Sequence, residues 1–140
     1  MRHEFFIPMA HPPDVTHQEK DITFVMKDGK PKPRVYEGAE LKAVRQLFMD
    51  HFAGHTPEQK FTGALQCVIK WCYPADWKHP PGTWKITKPD CDNLVKLILD
   101  CCTSLGFWKD DALISSLIVQ KFYDNIPGIY VCIENIGDDA

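Results

Sequence analysis

The spacing of apolar residues changes along this chain, and each change marks an element. From Gly38 to Phe52 the positions Leu41, Val44, Leu47, Phe48 and Phe52 recur at intervals of three and four. That is the repeat of a helix with one buried stripe, leaving Lys42 and Arg45 outside and Gly54 as the stop. From Ala64 to Tyr73 the period falls to two, with Leu65, Cys67, Ile69, Trp71 and Tyr73 on one side. This alternation predicts a central strand. The helical period returns from Asp92 to about Ser104 and stops near Gly106.

The second helix separates its chemistry from its core. On a helical wheel Asp92, Asn93, Lys96 and Asp100 fall within about 100° of one another, while Leu94, Leu97, Ile98, Cys101 and Leu105 lie opposite. Val95, Leu99 and Cys102 widen the apolar arc to roughly 200°, more than a helix lying on one sheet buries. A second packing partner is therefore expected, plausibly another subunit. Short strands are predicted at 4–10 and 22–26, separated by a loop containing Pro12, Pro13 and Asp14, with a turn at Asp28 and Gly29. Two more, at 112–123 and 128–135, are expected to form a hairpin around Asn125, Pro127 and Gly128. Strand, helix and strand from 64 to 123 have the order of a right-handed crossover. The predicted class is α/β of the α+β kind, a small mixed sheet of four to five strands with two main helices.

At 140 residues and 44% hydrophobic content, one domain is the simplest reading, with residues 134–140 as a loose tail. The start, MRHEFFIPMAHPP, has too short an apolar run for a signal peptide, and no segment approaches the roughly 18 apolar residues of a membrane span. A soluble, cytoplasmic protein is expected. The loop from Pro74 to Thr87 is long for a compact domain, which marks a functional or mobile segment. Six cysteines show no C-x-x-C pair, and Cys67 and Cys72 fall on opposite faces of a strand, so they read as small core residues. The six histidines are scattered and bring no zinc pattern either, although His51 and His55 stand four apart.

The net charge of −3 conceals a division along the chain. Residues 60–88 carry Lys60, Lys70, Lys78, Lys85 and Lys88 against Asp76, whereas residues 89–111 carry five aspartates against Lys96 and Lys109. An acidic pocket beside a basic surface suits a polyanion cut with metal help, although charge alone equally fits an ordinary solvated surface.

The acids themselves are more specific. Asp90 and Asp92 project together from an extended lead-in that Pro89 favours, just where the helix begins. One of them is readily explained as a helix cap, but two are not. Lys96, one turn beyond Asp92, makes either an i, i+4 ion pair or a contact to a scissile phosphate. Asp110 and Asp111 stand at a strand start, where neighbouring side chains diverge, so one of the two faces any shared site. Two like charges about 4 Å apart cost roughly 4 kcal/mol at an effective dielectric near 20, so gathering Asp90, Asp92 and Asp111 calls for a cation.

The string P-D-x-D-N-x-x-K, then Asp100, then G-F-W-x-D-D, resembles the RusA family of Holliday junction resolvases, endonucleases common in phages and prophages. The match is strongest from Pro89 to Phe122. The resemblance implies catalytic aspartates at Asp90, Asp92 and Asp111, an essential lysine at Lys96, and an acidic neighbour at Asp110. It also implies a small mixed α/β homodimer with one or two Mg²⁺ ions per site, or Mn²⁺ in their place, acting on four-way or branched DNA in recombination and repair. The stretch HPPDVTHQEK, which contains His17, looks like a variant used by some phage-encoded members and departs from the better-known P-P-S-x-N pattern of others.

Lys32, Arg34, Lys85 and Lys88 are candidates for DNA backbone contacts, and Trp84 for stacking on an unpaired base. Alternative functions are a magnesium-dependent nuclease selecting flaps or single strands and a junction-binding protein that does not cut. Cut-site preference, and whether one subunit builds a whole site, are not legible from the residues.

Overall fold

The computed structural model describes residues 1–13 and 20–137 and, within 20–25, 27 and 32–37, the backbone alone. The chain runs β1 (Arg2–Pro8), β2 (Lys20–Lys27), β3 (Lys30–Glu37), α1 (Ala39–Ala53), β4 (Leu65–Pro74), α2 (Cys91–Leu105), a 3-10 turn (Asp111–Leu113), β5 (Ile114–Asp124) and β6 (Gly128–Asn135). Four strands form one mixed sheet in the order β1-β6-β4-β5. β5 is parallel to β4, and parallel neighbours need a crossover, which α2 supplies. The architecture is thus the α+β class that the periodicities predict.

The alternation in β4 does what its pattern dictates. Leu65, Cys67, Ile69 and Trp71 are each at most 1% exposed, whereas Gln66, Val68 and Lys70 are half-buried on the other face. α1 and α2 cover the first face. Phe48 of α1 lies 5.9 Å from Trp71, and Phe52 meets Phe5 of β1 edge-on at 5.7 Å. Each such ring contributes about 1.5–3 kcal/mol by leaving water.

Two expectations are corrected. The hairpin at 112–135 does not form, because β6 crosses the end of β4 and pairs antiparallel with β4 on one side and β1 on the other. Its Ile129, Val131, Cys132 and Ile133 are all buried, which suits an interior strand, while β5, with exposed Leu117 and Ile118, takes the edge. Turn residues at Asn125–Gly128 mark a reversal without choosing the partner. Gly128 instead sits against β1 at φ 154°, where a Cβ would lie 2.3 Å from the Ile7 carbonyl oxygen.

The wide apolar arc of α2 is covered within the chain. Val95 and Cys102 are 8% and 0% exposed, and the Cys101 thiol lies 4.0 Å from the Arg45 carbonyl of α1. The second packing partner is therefore α1. For the same reason Arg45 is half-buried rather than outside, while Leu47, counted in the stripe of α1, is 41% exposed.

A further strand, β3, is not anticipated by the sequence, since its Pro31 and Pro33 lack the N–H groups of a ladder. It pairs with β2 alone, across a two-residue turn with Asp28 at φ 54° and Gly29 at φ 75°, the left-handed pair that tight hairpins favour. A two-stranded ribbon has a free edge that tolerates the missing N–H groups of proline. The side chains of Lys32 and Arg34, and all of His17, lie outside the described residues.

The chain end is held further than expected. Glu134 and Asn135 complete β6, Asn135 N bonds to the Met1 carbonyl at 3.0 Å, and Ile136 N bonds to the Ala64 carbonyl at 3.0 Å. Among the described residues no helix is long and apolar enough to cross a membrane.

Candidate active site

The acids are placed by the two ends of the β4-α2-β5 crossover. Upstream, the long loop after β4 is pinned along the free edge of β5. Gly82 N and Lys85 N donate to the Tyr123 and Lys121 carbonyls, and Tyr123 N donates to the Thr83 carbonyl, at 2.8, 3.1 and 2.9 Å. The His79 ring stacks on Tyr123 at 4.2 Å, and Asp76 Oδ1 accepts from Lys78 N and His79 N at 2.9 and 2.8 Å, which closes the tip of the loop. The loop is therefore an ordered border to the sheet.

It delivers the chain to Asp90, the N-cap position of α2, in extended conformation at φ −75°, ψ 147°. The Asp90 side chain makes no capping bond, so the purely structural explanation for this acid is not realised. Its Oδ2 instead meets Lys88 Nζ at 3.1 Å. Asp92 follows in the first helical turn, and Lys96 stands one turn further; both are exposed. Negative charge there is favoured by the helix dipole.

Downstream, α2 stops at Gly106, whose φ of 87° lets the Gly106 and Phe107 N–H groups fold back onto the last carbonyls. Phe107 and Trp108 then plunge into the core at 0% and 1% exposure. Trp108 Nε1 donates to Thr103 Oγ1 at 2.7 Å, and Phe61 N donates to the Phe107 carbonyl at 2.9 Å. Two buried rings thus nail down the turn that presents Asp110 and Asp111 at the surface.

The adjacent acids divide their work. Asp110 Oδ1 accepts from Ala112 N at 2.9 Å and caps the 3-10 turn. Asp111 does not cap, and its carboxyl is pushed above the ordinary carboxylate range, first by partial burial, then by the hydrogen bond and charge of Asp110 and the charge of Asp100, with Lys96 pulling it back. The structure thereby brings Asp111, Asp110, Asp100 and Lys96 into one electrostatic neighbourhood. Asp90 and Asp92 are not among the groups that perturb Asp111. Among the described residues, no three His, Cys, Asp or Glu side chains converge closely enough to hold a metal ion. The chemistry of the donors nonetheless fits a hard divalent cation, since every candidate is a carboxylate and the crowding at Asp111 is what such a charge relieves.

Other candidates are occupied differently. Trp84 is 60% exposed and meets Phe122 edge-on at 6.1 Å. Lys85 lies over the Tyr73 and Tyr123 rings at 4.8 and 5.4 Å and reaches Thr87 Oγ1 at 2.9 Å, so it braces the loop. Trp77, unremarked by the sequence reading, is 86% exposed with Lys78 Nζ 5.1 Å from its ring. Its proximity to Lys78 in a proline-rich loop was the available signal. Five cysteines are buried and Cys91 is half-buried, all of them as free thiols; burial raises Cys67 to about 12, so it is inert. His55 stacks on Phe5 at 4.5 Å and its carbonyl contacts His3 Nε2, a packing role.

Comparison with known proteins covers this whole region. The chain is 28% identical over 127 residues to the Bacillus subtilis (strain 168) protein YqaN, which is described as uncharacterized, with 78% of this chain and 89% of the other aligned. The family described as endodeoxyribonuclease RusA matches residues 12–134, which take in the ribbon, both helices, the whole crossover with its acids and nearly all of β6. A match of that extent decides the affiliation: the chain belongs to the RusA family of endodeoxyribonucleases.

Proposed function

We propose that this chain is a magnesium-dependent endonuclease that resolves four-way DNA junctions by symmetric nicking, working as a homodimer in phage or prophage recombination and repair. The observation that carries this reading is the carboxyl of Asp111, raised first by partial burial and then by Asp110 and Asp100, and opposed by Lys96, in a chain of a DNA-cutting family.

In this reading Asp90, Asp92 and Asp111 are the oxygen ligands of one or two Mg²⁺ ions. When bound there, such an ion would supply Lewis acidity and positive charge against the phosphate. Asp110 keeps its cap and holds the turn that presents Asp111. Lys96, exposed on α2 and within electrostatic reach of Asp111, meets the negative charge that develops on the attacked phosphorus centre. Trp84, Lys88 and the backbone-defined strand carrying Lys32 and Arg34 face the DNA, with Lys85 bracing the loop beneath it. A two-fold dimer offers two equivalent sites to a junction with two equivalent strands.

The test is a set of synthetic substrates at matched salt, incubated with the full chain with and without Mg²⁺. Paired nicks in a four-way junction, absent without metal, are expected. Preference for flaps or single strands would make this a different branched-DNA nuclease, and tight junction binding without any nick would make it a non-cutting binder.

A further inference from the structure

We propose that Lys121 is a positioning residue that fixes the aim of Asp90 and Asp92, an inference resting on the reading of those acids as metal ligands. Lys121 lies on β5 directly beside Trp71 of β4, so neighbouring strands place both side chains on the helix-covered face of the sheet. Trp71 is 1% exposed and part of the core, and this gives Lys121 a rigid base. From there its half-buried ammonium donates to the Thr87 carbonyl at 2.6 Å and to the Pro89 carbonyl at 2.7 Å. Its own carbonyl accepts from Lys85 N at 3.1 Å. One residue of the central sheet therefore grips residues 85, 87 and 89, the last of which is bonded to Asp90.

The grip has a direction. Asp90 does not cap α2, so its position is not set by its own side chain bonding the helix. The Asp90 carbonyl accepts from Leu94 N at 3.1 Å and starts the helix. Whatever fixes Pro89 thus fixes where α2 begins and where the carboxylates of its first turn stand. Charged donors on backbone carbonyls make strong hydrogen bonds, and outer contacts that orient metal ligands typically command about 10–100-fold in metal affinity. A lysine half-buried on the helix-covered face of a sheet is otherwise costly; the two carbonyls account for its place.

Lys121→Met keeps the aliphatic stem and removes the donors, while Lys121→Arg keeps charge and donors; Lys121→Gln, a shorter and uncharged amide, serves if Met lowers the melting point steeply. The readouts on the full chain are amide exchange at Lys85 and Leu94, Mn²⁺ binding followed by electron spin resonance, and junction binding in metal-free buffer. The expected result for Lys121→Met is at least about tenfold faster exchange at both amides and about tenfold weaker Mn²⁺ binding, with metal-free junction binding within about twofold of wild type and partial rescue by Arg. Unchanged exchange or unchanged Mn²⁺ affinity overturns the proposal. So does a loss of junction binding in step with metal binding, which would make Lys121 a phosphate contact. Wild-type protein that binds no Mn²⁺ removes the metal reading and this inference with it, whereas wild-type binding matched by Lys121→Met removes the inference alone.

Discussion

At the N-terminus of α2, Asp90 already has a cation, Lys88 at 3.1 Å, and the carbonyls leading to it have Lys121. At the lead-in to β5, Asp111 is held above the usual carboxylate range, first by partial burial and then by Asp110 and Asp100, with Lys96 opposing them. The two ends of one crossover thus treat negative charge differently, the first pairing its acid with Lys88 and the second gathering three acids within reach of Lys96. For the proposed nuclease this means that Asp90 would exchange a lysine for the metal, whereas at Asp111 the metal would meet a carboxyl already close to other acids.

The comparison breaks most visibly if either end is removed. Asp92→Asn and Asp111→Asn should each lower junction nicking by more than about 100-fold, beyond what outer contacts to a metal command, while gel-shift affinity in metal-free buffer stays near wild type. A fully active variant at one end would show that end to be dispensable. Lys96→Ala should slow turnover by about 100-fold at saturating junction, the scale of losing one donor to a developing oxyanion, with little change in binding. Equal losses in rate and affinity would make Lys96 a simple phosphate contact.

Acid should sharpen the contrast. A raised folded-state value means that a proton and Mg²⁺ compete for Asp111 at a higher pH than for an ordinary carboxylate. The half-saturating Mg²⁺ concentration should therefore climb by up to about tenfold per pH unit once the pH falls below that raised value, and Asp111→Asn should flatten the curve. Lys88→Ala should act in the opposite sense, tightening Mg²⁺ by at most about fivefold because a competing exposed ion pair worth no more than about 1 kcal/mol is gone. Weaker metal binding in that variant would mean that Lys88 supports Asp90 instead of competing for it.

The smallest effect concerns stability. Because the folded state raises the Asp111 value, ionising this group opposes folding. The opposition is full above the raised value and absent below the ordinary one. Asp111→Asn should thus melt at the wild-type temperature or slightly above it in metal-free buffer at neutral pH, and a clear drop in melting temperature would show that Asp111 has a favourable partner instead.

Much of the fold is legible because it is local. α1 and α2 begin and end within a residue or two of their predicted limits, since the apolar period and the glycines at 54 and 106 are properties of neighbouring residues. β4 reads as central because its apolar alternation runs unbroken from Leu65 to Tyr73 on one side. The partner of β6 is not local: the same turn residues allow a hairpin with β5 or a passage across β4, and only competition among strands for buried positions selects the second. β3 is illegible for a related reason, since Pro31 and Pro33 forbid a central strand but not a two-stranded ribbon.

The site divides in the same way. The order of Asp90, Asp92, Lys96, Asp110 and Asp111 is visible in the sequence, but what each acid faces is not. That Asp110 caps a turn while Asp111 is left crowded depends on which of two adjacent side chains meets the Ala112 N–H. That Lys85 lies on aromatic rings, and Lys121 on two carbonyls, depends on an edge strand meeting a loop more than thirty residues away in sequence.

The helices, the central strand, the crossover and the set of acids follow from the residues alone, because short-range periodicity and residue chemistry suffice for these. Folding was needed to settle that α1 covers the wide apolar arc of α2, that β6 lies between β4 and β1, and that the two acidic ends differ in charge balance. Each of those depends on which distant surfaces exclude water together and on which charges that packing leaves side by side.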